Sequence, residues 1–177
     1  PADKQIAVTS YGKPYDAAAH GVTVAGNDLD GDKTEYSVDG GATWTEQAPQ
    51  RTDVQQAETV KVRVTNKNYR AAEAEGTIAI TPKAVTVTAK STGKVYGAAD
   101  PELEAEVSGT LGADTVDYTV TREQGEDVDT YKMTAAGATA QGNYEVTYVD
   151  GTFTISAADR PADKQIAVTS YGKPYDA

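Results

Sequence analysis

The carboxylates of Asn27-Asp28-Leu29-Asp30-Gly31-Asp32 fall at alternate positions of one short loop. Asp28, Asp30 and Asp32 could offer hard oxygen ligands to calcium at that spacing. A calcium loop would need glycine at its sixth position and a closing Glu at its twelfth, and this segment has neither. A turn with solvated carboxylates accounts for the same residues, so the three aspartates are a weak metal candidate only. His20, the single histidine, lies in a polar connection with no ligand set near it and is expected at the surface. Lys13 with Asn68, and Lys94 with Asn143, place one lysine early and one asparagine late in each half. An intramolecular isopeptide bond would need such a pair and would lose one ammonia, ~17 Da. A Gly-Lys loop and an Asn-Tyr turn explain the residues without it. No buried acid can be identified between the partners, so no mass loss is expected. Cysteine is absent, which removes disulfides, thiolate metal sites and cysteine nucleophiles. No Ser, His and acid constellation forms, so no catalytic or cofactor-binding residue is assigned, no cofactor is expected, and the chain is expected not to be an enzyme.

The elements that carry these residues are repeated. Pro1 to Ala17 (PADKQIAVTSYGKPYDA) returns letter for letter at Pro161 to Ala177. The chain reads as one full repeat and the opening of the next, as in a tandem array whose units pack mainly on their neighbours. An older repeat lies inside the first. Gly12-Lys13-Pro14-Tyr15 matches Gly93-Lys94-Val95-Tyr96, and Asp53-Val54 matches Asp127-Val128. Asn68-Tyr69 precedes Gly76-Thr77-Ile78 by the spacing that puts Asn143-Tyr144 before Gly151-Thr152-Phe153. The expected division is a first β module over 1–82, a second over 83–157, and a linker with the first strand of the next copy over 158–177. Thr81-Pro82-Lys83 leaves almost no slack between the modules. Ser156 to Pro161 is longer and polar, so the array should be rigid within a pair and more bendable between pairs.

Alternation with period two dominates and helical period is nearly absent. Val60, Val62 and Val64 alternate with Lys61, Arg63 and Thr65; Val85 and Val87 with Thr86; Phe153 and Ile155 with Thr152, Thr154 and Ser156. Each run predicts one buried and one solvated face, with Gly, Asn and Asp turns between runs. On that phase Val62→Asp should unfold the first module, and Arg63→Asp on the opposite face should be near neutral. Only Thr52 to Glu58 and Ala98 to Glu104 could hold a helical turn. The fold expected is all-β: two small tandem β-sandwich (Ig-like) modules end to end. The alternative is β-grasp-like modules with one short helix. The 11 tyrosines stand against one Phe and one Trp. Tyr36, Tyr118, Tyr131, Tyr144 and Tyr148 fall on the inward phase, ring inside and hydroxyl at the rim. A carbohydrate-stacking platform is the rival account.

The formal net charge is −11. It argues against nucleic acid and anionic membranes as partners, and an array would accumulate it with every copy. No apolar run approaches transmembrane length, so no membrane insertion is expected. A secreted chain without cysteine is ordinary for a Gram-positive surface protein.

Val95-Tyr96-Gly97-Ala98-Ala99-Asp100-Pro101, Gly112-Ala113-Asp114, and Asn143-Tyr144 through Gly151-Thr152-Phe153-Thr154-Ile155 resemble the MBG family of bacterial surface repeats, the Tyr-Gly-X type. The first module, with Tyr15-Asp16 and its own Asn-Tyr block, is similar to the YDG and MBG group. It departs in having Ala17 where glycine is typical, and in a tryptophan hairpin. The resemblance implies stalk or adhesin repeats and carries over no catalytic residue. Ser37-Val38-Asp39-Gly40-Gly41-Ala42-Thr43-Trp44 resembles the Asp-box of sialidase propellers, a structural hairpin lying away from the catalytic centre.

The function expected is a non-catalytic structural stalk or spacer repeat of a bacterial surface adhesin. It would be extracellular, with attachment to the cell wall through another part of the protein. The alternative is a multivalent glycan- or mucin-binding module. Partners expected are neighbouring repeats and, on the alternative, host glycan or mucin. A head-to-tail strand exchange through 161–177 is also expected, because any groove that accepts Ile6 to Ser10 must accept Ile166 to Ser170.

Overall fold

The computed structural model describes residues 5–166 and 172. Strands β1 (Ala7–Thr9), β2 (Tyr11–Pro14), β3 (Thr23–Ala25), β4 (Lys33–Ser37), β5 (Gln55–Asn66) and β6 (Tyr69–Thr81) form the first half. Strands β7 (Lys83–Ala89), β8 (Thr92–Val95), β9 (Ala105–Ser108), β10 (Thr119–Arg122), β11 (Thr130–Ala136), β12 (Ala140–Gln141), β13 (Tyr144–Val149) and β14 (Gly151–Ser156) form the second. A single 3₁₀ turn, Ala162–Lys164, is the only helical element among the described residues. The all-β expectation holds, and no helix of a β-grasp is present among those residues. Thr52 to Glu58 is not helical: Gln55 onward belongs to β5, pinned against β6 with a register shift between Gln55 and Glu58. Pairing along a long hairpin overrides the helix propensity of Gln-Gln-Ala-Glu. Ala98 to Glu104 is irregular.

Both halves use one device. The opening strand crosses between sheets part-way and is joined in parallel by the closing strand, on both sides of the crossing in the second half and after it in the first. In the second half β7 pairs with β13 (Val85↔Val146) in the sheet β12-β13-β7-β9. Its continuation β8 pairs with β14 (Ile155↔Lys94) in the sheet β10-β11-β14-β8. In the first half β2 pairs in parallel with β6 (Lys13↔Ile80) in the sheet β2-β6-β5-β4, while β1 joins β3. Glycine marks the crossing. A Cβ on Gly151 would sit 2.4 Å from the Ala89 carbonyl oxygen, and one on Gly76 would sit 2.7 Å from Val8. The next amide is then captured by a serine: Thr152 N–H donates to Ser91 Oγ at 3.0 Å and Thr77 N–H to Ser10 Oγ at 2.9 Å. The Gly-Thr block is therefore a crossing point.

The alternation places the core as expected. Val60, Val62 and Ile78 are fully buried in the first half, as are Val87, Met133 and Phe153 in the second. Tyr144 is buried; Tyr36, Tyr131 and Tyr148 are half-buried. Tyr118 departs from its phase: it is exposed, and it lies just before the edge strand β10, outside any strand. Of the segment for which strand exchange is expected, 167–171 and 173–177 lie outside the described residues.

Candidate functional site

The tryptophan hairpin follows β4. Ser37 Oγ donates to Asp39 Oδ1 and accepts from Gly41 N–H, while both the amide and the hydroxyl of Thr43 donate to Asp39. These donors, Ser37 first, hold the Asp39 carboxyl well below its ordinary value. Trp44 Nε1–H returns to the Gly41 carbonyl at 3.0 Å. Arg63 lies 4.3 Å over the Trp44 ring and pairs with Glu35 at 2.8 Å. The side chains of Ser37, Asp39, Thr43 and Trp44 are all bonded within their own turn. Arg63→Asp is thus no neutral change, because it would set a carboxylate against Glu35.

The loop carrying Asp28, Asp30 and Asp32 is closed in the same manner. Asp32 accepts from Leu29 N–H at 3.0 Å and from Asn66 Nδ2 at 2.8 Å, and Asn66 also donates to the Asp30 carbonyl. Among the described residues no three His, Cys, Asp or Glu side chains are grouped as a metal ion would need. His20 is more engaged than its sequence setting suggested. Its ring stacks on Tyr11 with centroids 3.9 Å apart, and Nε2–H donates to Asp16 at 2.8 Å. That bond, then the Ala18 amide, lowers the Asp16 carboxyl from its ordinary value.

The lysines and asparagines of the isopeptide idea are kept apart. Lys94 stands opposite Ile155, whereas Asn143 meets Lys83 at the other end of the second half (Lys83 N–H to Asn143 carbonyl, 2.9 Å). Lys13 stands opposite Ile80 at one end of β6, and Asn68 precedes Tyr69 at the other. Lys94 instead joins a closed set of charges. It reaches Asp100 at 2.7 Å and also Glu126, and Arg122 reaches Asp100 at 2.7 Å and Glu126 at 2.7 Å. Arg122 lies 4.7 Å over Phe153. Arg122 first, then Lys94, lowers the Asp100 carboxyl to about 2. Two cations meet two carboxylates, so the set pins the loop after β8 and leaves no acid or base poised for proton transfer.

The geometry that sequence reasoning missed is the joint between the halves. No strand pairing crosses Pro82 among the described residues, yet the core does. Tyr15 and Ile80 belong to the same buried cluster as Val85, Tyr144 and Phe153. The Tyr15 and Tyr144 rings meet edge to face with centroids 5.7 Å apart. Asn143 bridges the seam: Oδ1 accepts from Val54 N–H at 2.8 Å and Nδ2 donates to Asp53 at 2.9 Å. Tyr144 is fixed behind it by donating to Asp114 and accepting from Leu111 N–H, and burial first, then Asp114, raises its hydroxyl above the ordinary value. The Asn-Tyr pairs and the Asp-Val pairs were visible as repeats; that one of each meets the other in space was not.

The family model of the MBG domain (YGX type) matches residues 85–154, within the second half of the chain. No curated protein matches the chain. Among solved structures the chain is similar to the Clostridium thermocellum CbhA fibronectin(III)-like modules, at 10% identity over 94% of this chain and 100% of that one, TM-score 0.30. It is also similar to the Bacteroides ovatus mixed-linkage glucan utilization locus protein SGBP-B in complex with a mixed-linkage heptasaccharide. That likeness has 13% identity over 86% of this chain and 48% of that one, TM-score 0.29. No helix among the described residues is long and apolar enough to cross a membrane.

Proposed function

We propose that the chain is a non-catalytic stalk or spacer repeat of a bacterial surface adhesin, built of two β modules over 1–82 and 83–157. The observation that carries this reading is the joint. A buried tyrosine pair and a bridging asparagine lock one half to the next across a one-residue linker, which suits a part whose work is to hold distance. The MBG match of the second half supports a place at the bacterial surface. The polar groups of the Asp39 hairpin, the Asp32 loop and the Lys94, Asp100, Arg122 and Glu126 set are committed to turns and ion pairs, which supports a role without chemistry. Small-angle scattering on the full chain tests the reading. Strands of about seven residues at ~3.3 Å each, with turns and linker, give a rod of roughly 70–80 Å; a compact particle would sink it.

A second reading rests on Tyr69, Tyr96 and Tyr118, which are exposed. They could stack against sugar rings and make the array a multivalent glycan or mucin binder. A glycan array with a mucin pull-down separates the two: the stalk reading expects no signal from a multi-repeat chain, and specific retention would favour the binder.

A further inference from the structure

The joint inside the repeat has its two faces written a second time, uncovered, at the repeat's ends. The correspondence is structural as well as sequential. Pro14 pairs with Thr81 as Val95 pairs with Ser156. The Tyr15 amide donates to the Thr81 carbonyl at 2.9 Å, and the Tyr96 amide to the Ser156 carbonyl at 2.8 Å. Gln55 stands opposite Ile80, and the Asp129 carbonyl takes the Ile155 amide at 2.9 Å. Tyr96 and Asp127-Val128 therefore hold in the second half the places that Tyr15 and Asp53-Val54 hold in the first. By the same spacing Asn68-Tyr69 is the counterpart of Asn143-Tyr144.

Exposure separates the used faces from the unused ones. Tyr15 is 9% exposed and Tyr96 52%; Tyr144 is 5% exposed and Tyr69 58%. Val128 is 54% exposed and Val95 48%. Tyr69, Tyr96 and Val128 are three of the eight large apolar side chains left exposed among the described residues, and their counterparts Tyr144, Tyr15 and Val54 pack into the joint; Val95, whose counterpart Pro14 is itself exposed, lies beside Tyr96. Charge favours the same match. Lys67 and Arg70 flank Asn68-Tyr69, while Asp127 and Asp129 flank Val128. No ion pair engages Lys67 or Arg70 among the described residues.

We propose that successive copies of this chain dock end to end through a replica of the internal joint. The Asn68-Tyr69 tip of one copy seats on the Val95, Tyr96 and Val128 face of the copy before it. Asn68 takes the role of Asn143, accepting from the Val128 amide and donating to Asp127. The contact is heterologous, so it joins copies head to tail and makes no isologous dimer. Ala157 to Arg160 adds four residues between the closing strand and Pro161 that have no counterpart between Thr81 and Pro82. A loop of that length bulges out without preventing contact, and tethering supplies an effective concentration in the millimolar range. The inference rests on the stalk reading for the presence of a neighbouring copy.

Because the chain has no cysteine, paired single cysteines test it cleanly. Full chains carrying Val128→Cys and Asn68→Cys are mixed under mild oxidation, with Val128→Cys and Thr121→Cys as the control pair. All three positions are exposed, so folding is not at stake. The docked geometry predicts mixed disulfide formation about tenfold faster for the first pair than for the control. Adding Tyr96→Ala to the Val128→Cys chain should return the rate to control, and Ile166→Asp, which disables insertion of the tail strand, should change nothing. Equal rates for the two pairs overturn the docking. Loss of the preference with Ile166→Asp also overturns it, and assigns the contact to strand exchange. Either failure leaves the scattering length of a single repeat, and with it the stalk reading, untouched.

Discussion

The two halves follow one plan and bury it to different depths. The second closes two four-stranded sheets over Val87, Met133, Val146, Phe153 and Ile155. The first clusters Val22, Val60, Val62 and Ile78 for itself, edged by Ile6, Val8, Val24 and Tyr36, with Val64 buried apart from that cluster, and lends Tyr15 and Ile80 to its neighbour's core. A small module that cannot fill its own interior gains most from a neighbour, because fraction buried rises with size. On the proposed stalk reading the joint is a stiffener; its shared core also makes it part of the first half's stability, with the second half as the anchor.

The largest expected effect breaks the weaker half alone. Val62, fully buried, has no partner for a charge, so Val62→Asp costs several kcal/mol and unfolds the first half. Two-dimensional amide spectra should lose dispersion for that half and keep it for 83–157. Collapse of both would show that the halves fold as one unit. Next in size is Asn143→Ala. It strips the bridge from the Val54 amide and Asp53, a loss of about 1–3 kcal/mol felt mainly by the first half. Calorimetry should show the lower melting transition move down and the upper one stay. Movement of the upper transition alone would reverse the assignment of anchor and dependant.

Ala17 sharpens the contrast in the other direction. It sits at φ 65°, in the left-handed region, where the second half has glycine at the adjoining turn position, Gly97, at φ 84°. A Cβ there costs on the order of 1 kcal/mol, so Ala17→Gly should stabilise the first half by up to about that amount. Chemical denaturation reads it as a higher midpoint at unchanged slope. An unchanged or lower midpoint would mean that the surrounding turn relieves the strain.

The smallest effect is electrostatic and belongs to the second half. Arg122, then Lys94, lowers the Asp100 carboxyl from 3.8 to about 2. A depressed folded-state value means stability that is complete above the unfolded value and lost as pH falls from about 4 toward 2. Melting temperature over that range should drop further in the wild type than in Asp100→Asn. Parallel curves would remove Asp100 from the account.

Much of this was legible in the residues, for a local reason. Alternation is a nearest-neighbour property, so Val60, Val62, Phe153 and Ile155 declared their burial from spacing alone. The Asp39 hairpin was equally legible, since all its bonds span four residues or fewer. What stayed hidden depends on contacts far apart in sequence. The parallel run of β13 beside β7, the reach of Arg122 to Asp100, and the meeting of Asn143 with Val54 are set by how sheets stack, and period two says nothing of that. Thr52 to Glu58 misled because its composition suits a helix while β6 offers it a strand partner. Tyr118 misled because phase describes a strand and stops at its end.

The central claim is that the repeat holds distance, and scattering from arrays of one, two and three copies tests it most directly. The account predicts a maximum dimension that grows by a constant increment of roughly 70–80 Å per copy. An increment that shrinks with each added copy, as in a chain folding back on itself, would contradict it.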